Sequence, residues 1–110
     1  MTPATSTPFS DAAALAKLAA SGDDLTQLHR IEFTLHFPSQ FRADEAVLKL
    51  EALAFATTVA RDARGGGWQV VGVKKMYPVE SDLLGLRDKL DVIATEGKGS
   101  YDGWRASPAR

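Results

Sequence analysis

Between His29 and Phe37 apolar and polar residues alternate without a break. Ile31, Phe33, Leu35 and Phe37 fall on one side, and Arg30, Glu32, Thr34 and His36 on the other. A strict period of two predicts a strand with one dry and one wet face, and Pro38-Ser39 ends it. From Arg42 to Ala54 the spacing becomes helical. Ala43, Ala46, Val47, Leu50 and Ala54 share one side, and Asp44 and Glu45 fall in the expected first turn, where a helix favours negative charge. Phe55 to Asp62 is β-branched and aromatic enough for a second strand. Arg64-Gly65-Gly66-Gly67 reads as a turn, and Trp68 to Tyr77 as a third strand closed by Pro78, so the two strands predict a hairpin. From Glu80 to Glu96, Leu83, Leu86, Leu90 and Ile93 recur at helical spacing. Gly97 and Gly99 stop that helix, and Ser100 to Trp104 forms a short last strand.

Ahead of these elements, Ser10 is a suitable N-cap, Asp11 suits the positive helix end and Gly22 a C-terminal stop. The enclosed alanine-rich stretch predicts a peripheral helix whose narrow apolar stripe is Leu15, Leu18 and Ala19. Residues 1–9, rich in Pro, Thr and Ser, are expected to be a disordered segment. The order after the leading helix is strand, helix, strand, strand, helix, strand. That is the split βαβ of an α+β ferredoxin-like α/β sandwich, with the last strand short and an extra N-terminal helix. Two helices covering one sheet face leave the other for a partner, a second copy or solvent. One domain is expected over residues 10–104, with 105–110 as a short tail.

Composition narrows the function classes. A chain of 110 residues, 45% hydrophobic and 25% charged, suits one ordinary globular domain. With no cysteine, disulfides, thiol catalysis and Cys-based metal sites are excluded, which is compatible with a reducing cytoplasm. Thirteen basic residues against 14 acidic ones leave a net charge of −1, without the basic field of a nucleic-acid binder. No apolar run approaches the roughly 20 residues that cross a bilayer. The opening residues lack the basic start and apolar stretch of a secretory signal.

Candidate chemistry is sparse. His29 and His36, the two histidines, lie an odd number of positions apart on one strand. They project to opposite faces and so do not form a metal pair. Gly65-Gly66-Gly67 precedes a strand and is not followed by Lys-Ser/Thr, so it reads as a hairpin turn and not as a phosphate cradle. Lys74 and Lys75 read as strand lysines that discourage edge-to-edge pairing. Glu80, Asp82, Asp88 and Asp91 make a solvated helix face, and none of the serines sits in a nucleophile elbow. No catalytic constellation emerges, no metal site and no cofactor are expected, and an enzyme is the less favoured class.

Tyr101-Asp102-Gly103-Trp104 stands out, because an aromatic pair around Asp-Gly is an unusual finish for a domain. Tyr and Trp each offer a large apolar body with one polar handle. The physical reading is that they cover the end of the core while Asp102-Gly103 turns the chain. With Ser100 in front, this motif resembles the B-type regulator (inhibitor) family of ribonuclease E activity. Gly22-Asp23-Asp24 and Leu28-His29-Arg30-Ile31-Glu32-Phe33 are similar to that family's entry into its first strand, and the similarity spans roughly Ser10 to Trp104. The resemblance implies a ferredoxin-like fold and a cytoplasmic, bacterial, non-catalytic protein that binds ribonuclease E and reduces RNA cleavage. It carries over Glu32, Tyr101, Asp102, Gly103 and Trp104 as motif residues, binding or structural. Familiar members follow the tryptophan with an acidic stretch, whereas Arg105-Ala106-Ser107-Pro108-Ala109-Arg110 occupy those positions here. Two alternatives stand beside it: a domain with another partner, including a homodimer through the open sheet face, and a small-ligand-binding protein.

Overall fold

The alternation from His29 to Phe37 becomes a strand at the heart of the molecule. The computed structural model describes residues 11–22, 24–62 and 66–106. Its elements are α1 (Asp11–Ala20), β1 (His29–Phe37), α2 (Gln40–Ala52), β2 (Ala56–Arg61), β3 (Trp68–Met76), α3 (Glu80–Glu96) and β4 (Ser100–Ala106). The strands form one sheet in the order β2-β3-β1-β4, antiparallel throughout. Each of α2 and α3 therefore connects two strands that have a third between them, which is the ferredoxin-like α+β sandwich, preceded here by α1. No helix among the described residues is long and apolar enough to cross a membrane.

The apolar side of β1 is the floor of the core. Ile31, Phe33 and Leu35 have no exposed surface, and Ala43, Ala46 and Leu50 of α2 and Leu83, Leu90, Ile93 and Ala94 of α3 close over them. Phe33 meets Phe55 edge-on, with centroids 5.4 Å apart and planes at 85°, the arrangement ring quadrupoles favour. Burying each such side chain contributes about 1.5–3 kcal/mol, so β1 supplies the largest share of the core.

Several elements depart from the pattern-based reading, each for a local reason. Ser39 caps α2, its Oγ accepting from the Arg42 amide at 3.3 Å, so the helix begins at Gln40 and Asp44 and Glu45 fall beyond its first turn. It also ends earlier: Ala54 has φ 70° and is exposed, outside the apolar stripe. The lysine pair lies on β3, an interior strand, and does not guard an edge. Lys74 sits opposite Ile31 on the helix side. Its Nζ donates to the Leu53 carbonyl at 2.8 Å and stands 5.0 Å from the Phe55 ring centroid, so it satisfies an orphan carbonyl at the end of α2. In α1 the buried stripe is rotated: Ala14, Leu15 and Leu18 are partly buried and Ala19 is exposed. The proposed N-cap Ser10, residues 1–9, Asp23 and the Arg64-Gly65 half of the hairpin turn lie outside the described residues. Gly66 and Gly67 have φ 74° and 80°, as a tight glycine turn requires.

Candidate functional site

β4 runs two residues beyond the expected Trp104, and Asp102-Gly103 is not a turn. It is a bulge inside the strand. Thr34 pairs with Gly103 and Leu35 with Tyr101, leaving Asp102 as the extra residue. Gly103 takes φ 118°, which side-chain-bearing residues rarely adopt, as bulges often need. The consequence follows from parity. Residues three apart on a regular strand face opposite ways, but the inserted residue restores the phase. Tyr101 opposite Leu35 and Trp104 opposite Phe33 thus both face the helices.

What those aromatics meet explains the role of α1. The Trp104 indole is 7% exposed, and its Nε1–H donates to Asp11 Oδ1 at 2.7 Å. Asp11, 2% exposed at the start of α1, has its other oxygen 3.6 Å from Arg87 Nη1 of α3. The buried carboxylate is therefore both bonded and charge-compensated, as its burial demands. Tyr101 is half-buried beside this cluster, and its hydroxyl has no hydrogen-bond partner among the described residues. Burial, reinforced by the Asp11 carboxylate, raises the phenol well above its ordinary range. Asp11 and Arg87 are the residues that sequence reasoning missed as partners. A buried-type Trp with an N–H to satisfy was a signal that a partner existed, though not of which one.

The remaining motif residues look the other way. Glu32, on the solvent side of β1, accepts from Arg30 Nη1 at 2.8 Å and from Arg105 Nη2 at 3.4 Å. The Arg30 bond, then the Arg105 bond, hold its carboxyl below the usual carboxylate range. Asp102 is exposed and accepts from Ser100 Oγ at 3.3 Å. His36 lies between two carboxylates, with Nδ1 against Asp102 Oδ2 and Nε2 3.0 Å from Asp62 Oδ2 at the end of β2. This contact ties the sheet's two outer strands to its centre on the open face. Glu32 and Asp102 thereby border a shallow hollow of about 330 Å³, with Thr34, Gln69, Gly103 and Arg105. His29, by contrast, is buried on the core side with Nδ1 2.9 Å from the Gln27 carbonyl oxygen, so the two histidines do face opposite ways. Among the described residues no group of three or more His, Asp or Glu side chains is placed to hold a metal ion.

The carry-over motif is thus split: Tyr101 and Trp104 lock the C-terminal strand and α1 to the core, Gly103 makes the bulge, and Glu32 and Asp102 face solvent. Fold and face together define a ferredoxin-like domain whose second sheet face carries Arg30, Glu32, His36 and Asp102 and is covered by no helix among the described residues. Residues 10–105, from the position before α1 to the penultimate residue of β4, match the model of the family described as Regulator of ribonuclease activity B, and the chain belongs to that family. No curated protein matches the chain. The family is one of ribonuclease regulators, which implies a regulatory role and a protein partner.

Proposed function

We propose that the protein binds ribonuclease E and slows its cleavage of RNA, with no catalysis of its own, in the bacterial cytoplasm. The observation that carries this reading is the family match across residues 10–105. The geometry supports a binding role for the open sheet face. Among the described residues no helix covers it, and Arg30, Glu32, His36 and Asp102 are each held by a neighbour, so these side chains have less entropy to lose on docking. In this reading Glu32 and Asp102 meet the partner directly, while Tyr101, Gly103 and Trp104 hold the strand that presents them.

Two assays test it. Purified protein at low micromolar concentration should slow cleavage of a ribonuclease E substrate, and calorimetry should detect the complex. Glu32→Arg with Asp102→Arg reverses the charge of the face and should weaken binding at least tenfold while leaving the far-ultraviolet spectrum unchanged. Wild-type protein that neither binds nor slows the nuclease at tens of micromolar would remove the proposal. Undiminished binding by the double variant would move the contact away from this face.

A further inference from the structure

A groove of about 440 Å³ runs between α1 and the outer side of β4. Its helical wall is Ala14, Lys17, Leu18 and Ser21, whose spacing of three, four and seven puts them on one face. Its other wall is Trp104, Arg105 and Ala106. β4 is an edge of the sheet, so on its outer side alternate backbone N–H and C=O groups point away from β1. Among the described residues α1 rests on α3 and β4 and on no other element. The groove therefore offers an open strand edge under a mostly apolar helix face.

We propose that this groove takes an extended segment of a partner protein, apolar at alternate positions and acidic between them, added as a fifth strand beside β4. The inference rests on the proposed function only in taking the partner to be a protein. An extended occupant follows from the edge, because strand addition satisfies the backbone groups while alternate side chains enter the groove. Acidic character follows from charge: Lys17 and Arg105 are the charged lining residues, both exposed, and Arg105, though its guanidinium also reaches Glu32 at 3.4 Å, keeps a side chain 85% accessible. Two other occupants fit less well. Pairing two copies across a two-fold axis would set this short, bulge-limited edge, and with it Arg105, against its own copy, placing like charges together. Residues 1–10 contain no acidic side chain, and Pro3 and Pro8 have no N–H to donate.

The test uses the full chain, labelled with nitrogen-15, and three fluorescein-labelled octapeptides. One alternates glutamate and valine, one alternates lysine and valine, and one is the glutamate peptide N-methylated at alternate residues to block strand pairing. The glutamate peptide should bind at least tenfold tighter than either of the others. Its amide shifts should concentrate in 14–21 and 104–106 and include the Trp104 indole. Lys17→Glu with Arg105→Glu, both surface changes, should reverse the order of the first two peptides. Equal binding of the three, or shifts confined to other surfaces, would overturn the proposal. So would a concentration-dependent dimer that protects the same amides, or binding that appears only after residues 1–9 are removed. Peptide binding in the groove by a protein that does not slow ribonuclease E would sink the function alone; the opposite pair of results would sink the groove alone.

Discussion

Trp104→Phe asks whether α1 is a structural part of the domain, and the structure sets the size of the answer. The change deletes the donor that reaches Asp11 at 2.7 Å and leaves that carboxylate, 2% exposed, with Arg87 at 3.6 Å as its remaining partner. A hydrogen bond to a charged group contributes about 1.5–3 kcal/mol. Shrinking the ring removes about 1 kcal/mol more of burial. A loss near 3 kcal/mol is expected, which for a domain of this size lowers Tm by about 12 °C. Urea unfolding should be followed by circular dichroism, because Trp68 would remain as the sole tryptophan and fluorescence would no longer compare like with like. Asp11→Ala and the double variant complete a cycle, with an expected coupling of at least about 1.5 kcal/mol. Hydrogen exchange should show α1 losing protection while β1 and β3 keep theirs. A loss under 1 kcal/mol, strictly additive with Asp11→Ala, would refute the idea that this bond anchors α1.

Tyr101→Phe removes a hydroxyl without a hydrogen-bond partner among the described residues, so at neutral pH it should be neutral or stabilise by up to about 1 kcal/mol in urea melts. The same variant predicts a pH effect. The phenol is raised above its ordinary value of 10.0, so its neutral form belongs to the fold, and the stability it contributes is complete below pH 10 and lost as pH rises above it. Wild type should weaken by up to about 1 kcal/mol per pH unit beyond 10, the partial exposure of the ring keeping this under the full linkage slope. Melts of Tyr101→Phe should be flatter over that window, and parallel profiles would contradict the argument. Gly99→Ala should cost about 3 kcal/mol, because a Cβ there would collide with the His36 carbonyl and approach the Phe37 ring to 2.7 Å; a variant as stable as wild type would show that β1 and the α3–β4 loop are less tightly apposed.

The βαββαβ order was legible from the periods of β1, α2 and α3, together with the β-branched and aromatic residues of β2 and β3 and the glycines between them. β1 shows this best: its alternation predicted both faces, the apolar one against the helices and the polar one on the open side. Element ends were less legible, since they depend on single groups. Ser39 starts α2 early by accepting from the Arg42 amide, and Lys74 ends its apolar neighbourhood by reaching a carbonyl far away in sequence. Lys74 also shows why strand lysines mislead: a long apolar stem can lie along a sandwich while its ammonium finds a carbonyl at a helix end. Of the carried-over motif, sequence revealed that Tyr101 and Trp104 belong inward but not how both could. Asp11 was legible as a helix-start residue and invisible as the partner of an indole at the opposite end of the chain.

The bulge resolves that difficulty and links structure to the proposed activity. A regular β4 would turn either Tyr101 or Trp104 into water. It would also carry Asp102 out of phase with the strand positions now bracketing it. Inserting Asp102 lets both rings bury and at the same time pushes a carboxylate out beside His36 and above the hollow that Glu32 borders. One backbone irregularity, made affordable by the glycine at φ 118°, therefore fixes the anchor for α1 and the charge pattern of the open face together. Deleting Asp102 would leave Tyr101, Gly103 and Trp104 opposite Leu35, Thr34 and Phe33 in unbroken alternation, so both rings keep facing the helices while the carboxylate is lost. Binding should therefore fall with the fold retained, as it should for Asp102→Asn, which keeps the bulge as well; a deletion variant that fails to fold would show that the bulge itself is needed to seat β4.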